Sequence, residues 1–240
     1  MLNIEHLTKH YKGSDKGVTD LSLHVVPGDI YAFIGHNGAG KTTTLKCIAG
    51  IQDFDSGSVT IDGKDLRADP LGCKRSFAYI PDNPDLYEYL TGIQYLNFVA
   101  DVFQVPKAER EARIARYADA FELTTSLGDL ISTYSHGMKQ KLAILSALVH
   151  KPRLFILDEP FVGLDPKASV LLKEMMGEVC AEGGAIFFST HVLEVAEKLC
   201  NKVAIIKDGR LVTAGAMDEV VKPGSSLESI FLEVVDHEAH

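Results

Sequence analysis

Residues Gly35 to Thr42 read Gly-His-Asn-Gly-Ala-Gly-Lys-Thr and are followed by Thr43. They match G-x-x-x-x-G-K-[ST], the pattern of a loop that holds phosphate. Gly35, Gly38 and Gly40 open backbone conformations closed to residues with a β-carbon. Backbone N–H groups through His36, Asn37, Gly38, Ala39 and Gly40 can then converge on an anion. Lys41 supplies a positive charge for β- and γ-phosphates, and the Thr42 hydroxyl a ligand for Mg²⁺. A chance glycine-rich turn would match fewer of these positions.

A second acidic pair completes such a site. The apolar run Leu154-Phe155-Ile156-Leu157 ends in Asp158-Glu159-Pro160. Asp158, at a strand end, can hold Mg²⁺ directly or through water, and Glu159 stands where it can polarise an attacking water. A third stretch, Ser132-Thr133-Tyr134-Ser135-His136-Gly137-Met138-Lys139-Gln140, places Ser135 and Gly137 ahead of a helical pattern. Hydroxyl, amide and helix dipole form a second anion site there. Two chains facing head to tail would use both, each nucleotide lying between one chain's loop and the other's turn. Taken alone, this stretch reads equally well as an ordinary helix N-cap.

The elements that position these residues follow from periodicity. Ile30 to Ile34 is a buried strand leading into the loop, and Lys41 to Ala49 a helix stopped at Gly50. Leu2 to Ile4, Leu21 to Val26 and Gly57 to Ile61 read as strands, the last turning at Asp62-Gly63. Phe77 to Ile80 is a strand closed by Pro81. The period then becomes helical. Ile93, Leu96, Val99, Ala100 and Phe103 form one face, capped by Thr91. Ile114, Tyr117, Ala118 and Phe121 form another after Pro106, and a third helix runs from about Gly137 to Val149. Strand 154–157, a helix after Pro166, strand 185–188, helix 193–199 and strand 203–206 restore alternation, the signature of a largely parallel sheet. Lys207 to Arg210 reads as a turn, and the tail from Ala216 as a helical extension. His237 and His240 near its end suit a polar terminus better than a metal site.

Composition sets bounds. With 240 residues, 46% hydrophobic and 24% charged, a substantial core can form. A net charge of −9 argues against nucleic acid as partner. Cys47, Cys73, Cys180 and Cys200 form no C-x-x-C pair and read as core residues in a reducing compartment. No apolar stretch approaches a membrane span. Glu5, His6 and Lys9 stand where a signal peptide needs apolar residues. The chain is expected to be cytoplasmic, with any membrane role supplied by a partner.

Over residues 1–215 the chain resembles the ATP-binding subunit of ABC transporters. Gly35 to Thr42 resembles the Walker A loop, and Leu154 to Glu159 the Walker B strand with its catalytic glutamate. Tyr134-Ser135-His136-Gly137-Met138 resembles the Leu-Ser-Gly-Gly-Gln signature. Gly163-Leu164-Asp165 resembles the D-loop, and Ser189-Thr190-His191 the segment of the switch histidine. Tyr11 lies where the family stacks an aromatic on adenine. The resemblance implies an α/β P-loop NTPase core over 1–84 and 151–215 with an N-terminal antiparallel β subdomain. It also implies an inserted helical lobe over 85–150 and an extension over 216–240. It implies an ATPase using ATP and Mg²⁺, as a homodimer or heterodimer of ATPase subunits. The dimer would drive an integral membrane permease from the inner face of the membrane. His191 would contact the γ-phosphate, and Ser135, His136, Gly137 and Met138 would serve the opposite subunit's ATP.

The chain departs from the family in two places. Asp82 replaces the glutamine after the Tyr-x-Pro strand, a residue that touches Mg²⁺ and water and senses the permease. His136 and Met138 replace the first glycine and the glutamine of the signature. Both departures resemble bacterial members with separate, often exporter-type, membrane subunits. The alternatives are a soluble family member outside transport, in translation, DNA repair or cofactor assembly, and a regulatory ATP sensor. The single nucleotide unit and the absence of coiled-coil heptads weigh against the first. Intact Glu159 and His191 weigh against the second.

Overall fold

The computed structural model describes residues 1–13 and 16–236; His237 and His240 lie outside the described residues. The chain runs β1 (Leu2–His10), β2 (Gly17–Val25), β3 (Ile30–Ile34), α1 (Lys41–Ile48), β4 (Ser56–Ile61), β5 (Lys64–Asp65), α2 (Pro70–Lys74) and β6 (Phe77–Ile80). Three helices follow: α3 (Gly92–Val102), α4 (Lys107–Ala120) and α5 (His136–His150). Then come β7 (Leu154–Asp158), α6 (Pro166–Ala181), β8 (Ala185–Thr190), α7 (Leu193–Leu199), β9 (Lys202–Lys207), β10 (Arg210–Ala216), α8 (Met217–Val220) and α9 (Leu227–Asp236). No helix among the described residues is long and apolar enough to cross a membrane.

Two sheets form. One is antiparallel, in the order β2-β1-β4-β5. The other, β10-β9-β3-β8-β7-β6, is parallel except for the β9–β10 hairpin. This is the α/β architecture that the resemblance implies.

The central strands are apolar throughout because both faces are covered. Successive side chains point to opposite faces. Tyr31 and Phe33 of β3, Leu154 and Ile156 of β7, and Ala185 and Phe187 of β8 enter a core shared with α1 and the antiparallel sheet. Their neighbours Ala32, Ile34, Phe155, Leu157, Ile186 and Phe188 enter a second core with α3 to α7. The helical segment therefore shares its core with the sheet. Thr91 caps α3 in a reciprocal box with Gln94, and Arg113 of α4 donates to the Val149 carbonyl at the end of α5, 2.7 Å away.

Three features depart from the expected elements. The strand read from Leu21 begins at Gly17. Residues after the Lys207–Arg210 turn form β10, an edge strand whose side chains are all at least partly exposed, so no buried stripe announces it. The short helix α2 starts at Pro70 with Asp69 as its cap. All four cysteines are free; Cys47, Cys73 and Cys200 are buried and Cys180 partly so. Burial pushes the thiols of Cys47 and Cys180 up to about 11.

At the seam between α3 and α5, His150 stacks on Phe103 with ring centroids 3.7 Å apart, and its Nδ1 has no partner. Burial, reinforced by Arg113, lowers its pKa to about 4. The folded protein thus keeps His150 neutral where an unfolded chain would protonate it, so stability is lost as pH falls from about 6.5 to about 4. We expect wild type to lose about 2 kcal/mol more than His150→Phe between pH 7.5 and 4.5, in urea unfolding. Equal losses in both proteins would exclude His150 as the source.

Candidate active site

The phosphate loop joins β3 to α1. Its glycines answer to close approach as well as to dihedral freedom. A β-carbon at Gly35 would lie 2.5 Å from the Ile206 carbonyl oxygen, and one at Gly40 3.0 Å from that of Gly17. Gly40, at φ 108°, caps α1. Asp208 approaches His36 Nε2 at 3.5 Å, and His36 Nδ1 lies 2.9 Å from the Asn37 carbonyl oxygen. Lys41 is 7% exposed. Its Nζ donates to the Gly35 carbonyl at 2.7 Å and the His36 carbonyl at 3.4 Å, and lies 3.7 Å from Glu159 Oε1. Burial lowers its pKa against the opposing pull of Glu159 and Asp158.

The β7–β8 register sets Asp158 beside Ser189. Asp158 is 1% exposed. Its Oδ1 accepts a hydrogen bond from Ser189 Oγ, while Oδ2 is buried with no partner. Burial raises the Asp158 pKa, and the hydroxyls of Ser189 and Thr42 work in the other direction. Glu159 takes φ 48°, the left-handed region that costs a residue with a β-carbon about 1 kcal/mol or more. Its N–H donates to the Ser189 carbonyl at 3.2 Å and Oγ at 3.1 Å. The carboxylate then faces the Lys41 ammonium and the His191 imidazole, with His191 Nδ1 3.0 Å from Oε2 and Lys41 Nζ near Oε1.

The unpartnered Asp158 oxygen and the Thr42 hydroxyl beside it are hard donors that fit Mg²⁺. No group of three His, Cys, Asp or Glu among the described residues could hold a metal alone. That suits an ion that takes its remaining ligands from water and nucleotide phosphates.

A cleft of about 310 Å³ gathers the rest: Tyr11, Lys16, Gly17, Asn37, Gly38, Gly40 to Thr43, Asp82 and Glu159 all line it. The Tyr11 hydroxyl donates to Gln52 Oε1 at 2.9 Å and lies 3.3 Å from Thr43 Oγ1, so the ring stands at the mouth. Asp82 is exposed, accepts from the Asn83 N–H at 2.9 Å, and adds to the raising of the Asp158 pKa.

Ser135 to Met138 do not line this cleft. Ser135 caps α5, its Oγ accepting from the Met138 N–H at 3.2 Å. Asp165 caps α6, accepting from the Ala168 N–H at 2.9 Å, and its Oδ2 lies 2.6 Å from Lys141 Nζ. Among residues given no role by motif, Ser189 binds both members of the acidic pair, and Lys16 and Gly17 close one wall of the cleft. A serine ending an apolar strand beside Asp158 was the available signal for Ser189.

The sequence model of the family described as ABC transporter matches residues 18–162. The ABC-type transporter ATP-binding protein EcsA of Bacillus subtilis (strain 168) is 34% identical over 243 residues, spanning 100% of this chain and 98% of that protein. A solved ATP-binding subunit of an ABC transporter superposes with a TM-score of 0.93 at 37% identity, covering 98% of this chain and 99% of that one. CbiO1 of Clostridium perfringens, part of the ABC transporter complex cbiONQ, superposes with a TM-score of 0.76 at 25% identity, covering 99% and 95%. With the family model covering most of the chain and full-length relatives above 30% identity, the chain belongs to the ABC transporter family as an ATP-binding, ATP-hydrolysing subunit.

Proposed function

We propose that the chain works as one half of a head-to-tail ATPase pair that drives a separate integral membrane permease, seated on the inner face of the membrane. The observation that carries this reading is the division of the site. The loop, Tyr11, Asp82 and Glu159 share one cleft, while Ser135 to Met138 sit outside it on the same chain. A partner's cleft could take up that turn, so that each ATP is held between two chains.

In this reading Tyr11 stacks on adenine, and the backbone from Gly35 to Gly40 with Lys41 and Thr43 holds the phosphates. Thr42 and Asp158 hold Mg²⁺, which would neutralise charge developing on the phosphates. The incoming phosphates compete for Lys41 with the Gly35 carbonyl and Glu159. Once Lys41 turns to them, the Glu159 carboxylate keeps the His191 imidazole as its neighbour and is free to accept a proton from water. His191 also reaches the γ-phosphate. Ser135 and Gly137 meet the partner's γ-phosphate, with His136 and Met138 beside them in the turn.

Docking to the permease has support in a second, largely apolar cavity of about 450 Å³ between α3, α5 and β6. Leu86, Tyr95, Val99 and Phe103 line it, and Pro81 at its edge precedes Asp82. Tyr79 and His150 also line it. A short amphipathic helix from a membrane subunit would bury its apolar face there.

Three measurements test this reading. Lys41→Ala removes charge-assisted hydrogen bonds and should weaken ATP binding roughly tenfold or more with the fold intact. Unchanged affinity by calorimetry would refute the loop assignment. Asp82→Ala should reduce turnover more than ATP affinity, with Asp82→Gln restoring it; equal losses, or none, would make Asp82 a mere surface acid. Glu159→Gln should lower kcat about a hundredfold or more. ATP, but not ADP, should then convert that variant to a dimer in light scattering, and adding Ser135→Arg should abolish the dimer. A Glu159→Gln chain that stays monomeric in saturating ATP, or a double variant that still dimerises, would defeat the paired site.

A further inference from the structure

We infer that His136 is a positioning residue that fixes the Ser135 turn to the segment carrying Glu159 in the same chain. The inference rests on the paired reading above, in which the Ser135 turn meets a partner's γ-phosphate.

Three contacts join the first turn of α5 to residues 159–165. Gly163 lies at φ 80°, and a β-carbon there would stand 2.5 Å from His136 Cδ2 and 2.9 Å from His136 Nε2. The His136 ring therefore occupies the space that only a glycine leaves beside its backbone. In the reverse direction, a β-carbon at Gly137 would stand 2.7 Å from the Gly163 carbonyl oxygen, so the two backbones touch as well. One helical turn on from Gly137, Lys141 lies 2.6 Å from Asp165, and its side chain is only 13% exposed. A ring, a backbone contact and an ion pair with a mostly buried lysine thus span one short seam.

The far side of the seam is stiff. The Val162 N–H donates to the Glu159 carbonyl at 3.1 Å, and the Leu164 N–H to the Phe161 carbonyl at 3.4 Å. Phe161 packs edge-on against Phe188 of β8, with centroids 5.9 Å apart. Asp165 ends the segment as the cap of α6. A displacement of the Ser135 turn by a partner's nucleotide is then delivered through Gly163 to the strained peptide at Glu159, rather than absorbed in a loose loop. A flexible glycine at position 136 would leave only the Gly137 contact and the ion pair. The imidazole adds the wide, rigid surface that makes the seam one body. Its work is packing, so a ring of similar shape should serve in its place.

The test is a double-mutant cycle on kcat with His136→Gly, Gly163→Ala and their combination, plus His136→Phe. In the wild-type background Gly163→Ala forces its new methyl into the ring, and kcat should fall about tenfold or more with KM within about twofold. In the His136→Gly background the methyl has room, and the same substitution should cost less than about threefold; the backbone strain at Gly163 is common to both arms and cancels. His136→Gly should lower kcat, and His136→Phe should recover most of that loss. ADP affinity, set by each chain's own cleft, should be unchanged in all four variants and reports correct folding. Additive effects of His136→Gly and Gly163→Ala, or a His136→Phe protein that behaves as His136→Gly does, would overturn the inference while leaving the paired reading standing. Failure of Glu159→Gln to dimerise on ATP would remove that reading and this inference with it.

Discussion

The hydrogen bond between Asp158 and Ser189 is the point on which the site depends. A carboxylate that is 1% exposed has lost nearly all its water, and a desolvated charge is tolerated only where partners replace that water. The structure replaces half of it. Ser189, brought alongside by the parallel pairing of β7 and β8, satisfies one oxygen and leaves the other bare. The same serine accepts the N–H of Glu159 and helps hold that residue in a left-handed turn. The turn aims the carboxylate back at Lys41 and His191. Two acids adjacent in sequence acquire opposite settings, one sealed and short of a ligand, the other at the edge of the cleft between an ammonium and an imidazole.

The sheet makes this possible through its alternation. Each central strand sends every second side chain into a different core, so no strand has a solvated face on which to slip by a residue. The strand ends are consequently fixed to a fraction of a turn, and the ends are where Gly35, Asp158 and Ser189 sit. Burying the aromatic residues of these strands is worth about 2 kcal/mol each, several times what a surface ion pair contributes.

Much of this was legible in the residues. Apolar runs of four to six residues gave the central strands, and the stretches around Gly35 and Asp158 gave the loop and the acidic pair. Side-chain types at strand ends could be named, but their mutual contacts could not. Lys41 and Glu159 lie far apart in sequence with separate duties; only their meeting across the cleft shows that each neutralises the other until phosphate intervenes. β10 escaped because its residues bury no stripe, and its apolar and polar residue types do not follow the alternation of its exposure. α2 escaped because five residues are too few to repeat, although Asp69-Pro70 is a start signal. The contact of His136 with Gly163 was beyond reach, since the two lie in separate motifs and the packing that joins them is tertiary.

The burial of the cysteines has a practical side. A thiol with a pKa of about 11 is ionised in roughly one molecule in ten thousand at neutral pH, and the thiolate is the reactive form. Cys73 and Cys200 are shifted in the same direction by the same cause. The folded chain is therefore expected to react slowly with maleimides and mild oxidants. A single cysteine placed on the surface, for a spin label or a fluorophore that follows two chains closing on ATP, would react alone. The four natural ones could stay where they are, and their sudden appearance to a thiol reagent would time the opening of the core.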